Sequence, residues 1–294
     1  MLEIEKHNHV YPFSKGIIAR SMLPTGLPLE TIYGIAEKIE DEFNHRKNPV
    51  PASDIQDKVT QILTERGFEN EKSRYKISHK IAQINKPLVI LIGGTAGVGK
   101  STIAAALTRR IGIRRVIGTD EIREIMRYML PKDLLPALHE SSFDAGEVLG
   151  GPDIRENTEV GFCRQSGLVN RGVHAYIKRT EKEGLKTIFN GVHLSPGFLE
   201  IKHDESSLLL FQYLLTLNDE EQHKQRFQLR SDGSYREAER YINKIDRIRD
   251  IQEYLVKEAK KSGSKIIENT NVGHTVTEIV DDLIANLEKE KIHE

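Results

Sequence analysis

One octapeptide constrains this chain more than any other feature. Gly94-Thr95-Ala96-Gly97-Val98-Gly99-Lys100-Ser101 is a complete G-x-x-x-x-G-K-[ST] phosphate-binding loop. Pro87-Leu88-Val89-Ile90-Leu91-Ile92 before it is an uninterrupted apolar run, and Thr102-Ile103-Ala104-Ala105-Ala106-Leu107 after it is a strong helix former. The predicted order is buried strand, glycine-rich turn, helix. Such a turn aims successive backbone N–H groups and the positive end of a helix at one point, where a triphosphate sits. Gly94, Gly97, Val98, Gly99, Lys100, Ser101 and Thr102 are therefore the predicted nucleotide-binding residues. Lys100 is placed on the β- and γ-phosphates, and the Ser101 hydroxyl on Mg²⁺.

Composition narrows the partner. Lys and Arg number 43 against 44 Asp and Glu, a net charge of −1, which supplies no basic footprint for nucleic acid or an anionic membrane. A small-molecule substrate is expected. No apolar run approaches the roughly 20 residues that span a bilayer, and Met1-Leu2-Glu3-Ile4-Glu5-Lys6 lacks the pattern of a signal peptide. A cytoplasmic protein is expected. Cys163 is the only cysteine, so neither a disulfide within the chain nor a thiolate metal cluster is available, and its helical context predicts a small buried hydrophobe.

Two regions are predicted, 1–86 and 87–294. In the first, Leu2–Glu5 and Val10–Phe13 flank a turn at Lys6-His7-Asn8-His9. Ile32, Ile35, Ile39 and Phe43 then form one helical stripe. Asn48-Pro49-Val50-Pro51 breaks the chain, Ser53-Asp54-Ile55-Gln56 reads as a capping box, and Gly67 closes the helix it opens. A further helix is predicted around Tyr75–Ile84. In the second region, candidate strands at 88–92, 116–118, 187–189, 208–217 and 265–267 alternate with helices, including long ones near 157–183 and 275–290. That alternation predicts an α/β fold with a parallel sheet covered by helices on both faces.

In phosphoryl transfer the protein mainly positions groups and neutralises charge, so acids and cations at the C-terminal ends of strands carry the interest. The second strand runs into Thr119-Asp120-Glu121-Ile122-Arg123-Glu124-Ile125-Met126-Arg127. Asp120 is predicted to orient or deprotonate an acceptor hydroxyl, with Arg123 and Arg127, four apart on one face, clamping an anionic group. For Arg127 a solvated helix face serves equally well. The third strand ends at Asn190, where many phosphate-loop enzymes carry an acid that helps hold Mg²⁺ through water. His193 lies on the same rim, either binding substrate or satisfied by backbone. Arg226 and Arg230 precede Ser231-Asp232-Gly233-Ser234, which suits a lid presenting arginines to the transferring phosphoryl group; a solvated charged helix is the alternative.

Residues 87–294 resemble the archaeal 2-phosphoglycerate kinases. The resemblance rests on Gly93–Thr102, Thr119–Arg127, Gly191-Val192-His193-Leu194-Ser195-Pro196-Gly197 and Arg247-Ile248-Arg249-Asp250-Ile251-Gln252. Residues 1–86 resemble an ATP-cone, a small, mainly helical nucleotide-binding regulatory domain carried by that family, through Pro12-Phe13-Ser14-Lys15 and the helices that follow. The resemblance implies transfer of the ATP γ-phosphate to 2-phosphoglycerate, giving 2,3-diphosphoglycerate on the way to its cyclic form, with ATP and Mg²⁺ (or another divalent cation) as cofactors. Two positions depart from the family pattern: Asn190 replaces an acid, and Lys6-His7 replaces Lys-Arg. Rival readings are transfer to another small phosphorylated hydroxy acid, transfer to aminoacyl-tRNA, and a nucleotide-responsive regulator with a degenerate kinase fold. Oligomeric state is not legible.

Overall fold

The computed structural model describes the chain except for residues 1, 7–8, 47–48, 150–153, 198–206, 231–234 and 293–294, with the backbone alone described for 6, 154, 230, 235–237 and 288–292. Two compact units emerge, Met1–Asn85 with Leu107–Gly112, and Lys86–Ala106 with Ile113–Glu294.

The first unit opens with strands β1 (Glu3–Lys6) and β2 (His9–Pro12), an antiparallel hairpin as expected. Helices α1 (Lys15–Met22) and α2 (Leu29–Phe43) follow, then strand β3 (Val50–Pro51) and helices α3 (Ala52–Glu65) and α4 (Glu69–Ala82). Ser14 caps α1 by accepting from the Ile17 amide. The stripe Ile32, Ile35, Ile39 and Phe43 is buried, together with Met22, Ile62 and Leu63. Two local expectations fail. Val50–Pro51 pairs parallel with β1 instead of only breaking the chain. The helix after it starts at Ala52 behind Pro51, and no side chain caps it, so Ser53 lies inside the first turn and the capping box does not form. Proline at the N-cap position presets its φ, and the helix starts two residues earlier than a Ser53 cap would set it.

The second unit is an α/β layer structure. Its strands are β4 (Leu88–Gly93), β5 (Arg115–Gly118), β6 (Lys186–Asn190), β7 (Leu209–Thr216) and β8 (Lys265–Glu268). Its helices are α5 (Lys100–Ile111), α6 (Thr119–Met129), α7 (Pro136–His139), α8 (Ile154–Lys182), α9 (Glu220–Arg230), α10 (Tyr235–Ile242), α11 (Ile245–Ser262) and α12 (Val272–Ile292). All strand pairs are parallel, in the order β5-β6-β4-β7-β8. Every residue of β4 is buried, as a central parallel strand covered on both faces requires. On one of its faces Val89 and Leu91 pack with Val173, Ile177, Phe189 and Leu194. Further along the same face Leu214, level with Gly93, packs with Phe162, Phe227, Ile248 and Leu255.

Register does the positioning. Ile92 lies opposite Asn190, and Asn190 opposite Gly118. The phosphate loop, the Asn190 tip and the Thr119–Asp120 tip therefore leave the sheet side by side. The order also reverses direction at β4, because the chain runs to the β5 edge first and later crosses to β7. Ligands of open parallel sheets bind outside the carboxyl ends of strands at such a reversal.

Ile90 sits fully buried in the middle of β4. An Ile90→Ala variant is expected to lose about 2–5 kcal/mol of unfolding free energy, the usual range for truncating a buried aliphatic side chain. Urea denaturation checks it, and a loss under about 1 kcal/mol contradicts the central placement of β4.

Candidate active site

The phosphate loop is held from outside by groups distant in sequence. Gly97 and Gly99 have φ of +82° and +92°, the left-handed region that glycine enters without strain. A Cβ on Gly97 would lie 2.7 Å from both His223 Nε2 and Phe227 Cζ, and one on Gly99 would lie 2.5 Å from Asn269 Nδ2. His223 Nε2 donates to the Ala96 carbonyl at 2.7 Å. Asn269 Nδ2 and Arg226 Nη1 both donate to the Val98 carbonyl, at 2.8 and 3.2 Å. With loop carbonyls taken on this side, the loop's N–H groups are left for the concave side. That is the requirement for an anion cradle.

Lys100 Nζ bonds the Thr95 carbonyl at 2.7 Å, folded over the loop it serves. Ser101 and Thr102 are exposed in the first turn of α5, where helix N–H groups have no partner within the helix. Ser101 Oγ donates to Asn190 Oδ1 at 3.2 Å. A hydroxyl and an amide oxygen thus sit together at the loop's edge, hard oxygens suited to Mg²⁺ and the waters it keeps. Among the described residues no group of three or more His, Cys, Asp or Glu side chains could hold a metal by itself.

On the acceptor side, the Asp120 side chain is 75% exposed, and Arg123 Nε lies 3.8 Å from its Oδ1. Arg123 is half-buried, which lowers its pKa from the ordinary value, while Asp120 opposes that shift. Its Nη1 donates to the carbonyls of Glu140 (2.6 Å) and Leu138 (3.2 Å). The guanidinium thus anchors the segment after α7 as well as facing Asp120. Arg127 pairs with Glu124 at 2.7 Å on the exposed face of α6, the solvated alternative named above.

His193 is where structure corrects expectation most. It is fully buried, with Nδ1 2.8 Å from Thr119 Oγ1 and Nε2 3.0 Å from Gln165 Oε1. Both ring nitrogens are taken, so the ring has no atom left for substrate. Burial pushes its pKa down to about 4, against Asp120, which raises it, and with Arg123 and Lys100, which lower it further. Gly191 must lack a side chain here, since a Cβ would come within 1.7 Å of Thr119 Oγ1.

The lid expectation also changes. Arg226 is tied to the phosphate loop through Val98 and reaches the Asn269 carbonyl with its other nitrogen. Arg230 ends α9, but its side chain and the Ser231–Ser234 segment lie outside the described residues. Beyond them, Asp144 collects Arg240, Lys244 and Arg247 at 3.2–3.3 Å, and Glu147 adds Lys244 at 2.8 Å. These charges fasten segment 141–147 to α10 and α11. Rings continue the connection: His223 stacks on Phe227, Phe227 on Tyr241, and Tyr241 meets Phe143 edge-on. Cys163 is half-buried and burial raises its thiol pKa, which makes it a poor nucleophile, as its helical context implied. Nothing in the residue pattern announced His223, Asn269, Gln165 or Asp144, because each acts across 25 residues or more.

Comparison with known proteins adds the chemical context. The chain is 40% identical over 93% of its length to the 2-phosphoglycerate kinase of Pyrococcus furiosus, covering 89% of that protein. It is 38% identical over 95% to that of Thermococcus kodakarensis, covering 94%. Against the one from Methanocaldococcus jannaschii it is 39% identical over 90%, covering 85%. No family model matches. Among solved structures, shikimate kinase from Acinetobacter baumannii aligns over 70% of this chain and 98% of its own, at 15% identity and a TM-score of 0.41. No helix among the described residues is long and apolar enough to cross a membrane.

The buried His193 makes a pH prediction. The folded protein keeps the ring neutral down to about pH 4, whereas an ordinary histidine protonates near 6.5. As pH falls through that window the unfolded chain takes up a proton that the folded one refuses. Stability is complete above about pH 6.5 and falls by on the order of 3 kcal/mol toward pH 4. His193→Gln is expected to remove this slope. Urea titrations of the two proteins at pH 7.5 and 4.5 compare them, and parallel losses contradict the assignment.

Proposed function

Because the chain belongs to the 2-phosphoglycerate kinase family, we propose that it transfers the γ-phosphoryl group of ATP to the hydroxyl of 2-phosphoglycerate, giving 2,3-diphosphoglycerate and ADP. The observation that carries this reading is the register of three strand tips. It brings Lys100 and Ser101, Asn190, and Asp120 with Arg123 to one edge of the sheet.

The acceptor hydroxyl attacks the γ-phosphorus as the bond to the β–γ bridging oxygen breaks, and that oxygen leaves on ADP. Asp120, exposed at the tip of β5, orients the hydroxyl and takes its proton. Arg123 holds the acceptor's anionic end, its attraction for that anion less screened because the guanidinium is partly buried. Lys100 and the N–H groups of residues 97–102 stabilise charge on the phosphates. The Ser101 hydroxyl would hold Mg²⁺, with Asn190 beside it to accept from water, and the bound ion would supply charge neutralisation to the phosphates. The arginine most directly tied to the phosphate loop is Arg226, so its place in the reaction is as part of the loop's frame. The first unit fits a regulatory nucleotide-binding domain on the strength of Pro12–Lys15 opening α1; His7 lies outside the described residues. A cytoplasmic setting suits these substrates.

Incubation with ATP, Mg²⁺ and a panel of phosphorylated three-carbon acids tests the acceptor. ADP release is expected with 2-phosphoglycerate, and background release with it sinks the assignment. Lys100→Ala and Asp120→Asn are each expected to lower kcat by about 10²-fold or more, the scale for losing a charge-stabilising or proton-accepting group.

Asn190 is neutral where a charge would bind metal-bound water more tightly. Asn190→Asp retains the acceptor oxygen for Ser101 and adds that charge. The Mg²⁺ concentration for half-maximal rate is therefore expected to fall severalfold, and an unchanged or higher value removes Asn190 from the metal's surroundings.

A further inference from the structure

Gln165 occupies the middle of α8 and is fully buried. Its Nε2 donates to the carbonyls of Ala137 (2.6 Å) and Glu140 (2.9 Å), while its Oε1 faces His193 Nε2 at 3.0 Å. Carbonyls only accept, so the amide has one workable orientation: NH₂ toward residues 137 and 140, oxygen toward the ring. His193 must then carry its proton on Nε2. Its Nδ1 is bare and accepts from the Thr119 hydroxyl at 2.8 Å. Thr119 is the first residue of α6 and the immediate neighbour of Asp120.

A second arm leaves the same amide. The Glu140 carbonyl that Gln165 holds is also held by Arg123 Nη1, at 2.6 Å, and Arg123 faces Asp120. Asn170, five residues along α8, adds a bond from its Nδ2 to the His193 carbonyl at 2.9 Å. Asp120 and Arg123 are thereby approached from both sides by one buried side chain that touches neither. A buried amide with all three interactions satisfied by two separate segments, 137–140 and the one carrying His193, costs desolvation that a methionine of similar size would avoid. Packing alone does not call for it.

We propose that Gln165 is a positioning residue for the acceptor half of the reaction: through the His193 tautomer and Thr119 on one arm, and the Glu140 carbonyl on the other, it fixes where Asp120 and Arg123 meet the acceptor. The proposal rests on the acceptor placement given above. It predicts that α8 tunes acceptor binding and transfer while leaving the nucleotide half, framed by His223, Arg226 and Asn269, unaffected.

The test uses Gln165→Glu and Thr119→Val in the full-length protein. The glutamate keeps the shape but loses both donors and sets a carboxylate against the ring. The valine keeps the shape of threonine but loses the hydroxyl proton that Nδ1 accepts. Each variant is expected to raise KM for 2-phosphoglycerate, or lower kcat, by at least about tenfold. The dissociation constant for ATP, measured by calorimetry without acceptor, is expected to stay within about twofold. In proteins labelled with ¹⁵N-histidine, the ring signal that disappears in His193→Gln should show the Nε2–H tautomer in wild type across neutral pH. Asp120, Arg123 and Lys100 are the charged groups acting on that ring. In Gln165→Glu the new carboxylate favours the imidazolium, and the ring should titrate at a higher pH than in wild type.

Wild-type acceptor kinetics retained in both variants would overturn the proposal. So would ATP affinity and acceptor kinetics falling together, the mark of a merely structural role, or an Nδ1–H tautomer in wild type. Absence of any turnover by wild type with 2-phosphoglycerate would instead contradict the acceptor assignment, and the histidine spectrum would still decide the hydrogen-bond chain.

Discussion

Gly118, Asn190 and Ile92 occupy one level across three adjacent parallel strands, and everything chemical in the second unit follows from that level. Parallel ladders are evenly spaced, so a register set in the middle of the sheet carries unaltered to its edge. Strand spacing of about 5 Å then puts the phosphate loop and the Asp120 tip roughly two strands apart with Asn190 between them. A one-residue slip would turn the alternating side chains of β6 over and take Asn190 off the Ser101 hydroxyl. The complete burial of β4 opposes such a slip, because a register error would expose or overfill the core that its side chains fill.

Beyond the strand tips the means of holding changes. The segments that frame the site, 136–147 and 191–197, are fastened by polar groups as well as by buried apolar side chains such as Leu138, Phe143 and Leu194: Gln165, Arg123 and Asn170 on one side, Asp144 and Glu147 with three cations on the other. Hydrogen bonds are directional and apolar contacts are not, so such fastening sets angles as well as distances. It also leaves little slack. Removing one partner of a buried bond leaves the other unsatisfied at about 1–3 kcal/mol.

Legibility in the sequence divided along the same line. The phosphate loop, the Asp120 tip, Asn190 and the five-strand alternation were readable because each is a local pattern: apolar runs, glycine spacing, an acid opening a helix. For His193 the sequence leaves open substrate binding or a satisfied ring, and the fold gives both ring nitrogens side-chain partners, since a sequence shows where a side chain begins and not which atoms meet it. Arg226 was expected on a lid, yet its partners are backbone carbonyls of Val98 and Asn269, 128 and 43 residues away. Gln165 and His223 carried no signal, being ordinary members of helical stretches until the fold supplies the carbonyls they bind. The start of α3 was misread for a different reason: proline at its entry outcompeted the Ser53 cap.

The cations near the acceptor side bear on how an anionic substrate is selected. Arg123, Arg127, Arg240, Lys244 and Arg247 each already have an acid partner within 4 Å. A site with unpaired cations would attract any polyanion indiscriminately, nucleotide included. Paired cations must instead exchange one carboxylate for another anion, so the net Coulomb gain is small and geometry decides. Arg123 differs from the others in that its partner Asp120 is the exposed acid at the strand tip and its own guanidinium is half-buried and held by two carbonyls. Its two carbonyl bonds hold the guanidinium beside that exposed acid. On the acceptor placement proposed above, discrimination would depend on the angle between Arg123 and Asp120 more than on the number of positive charges around them.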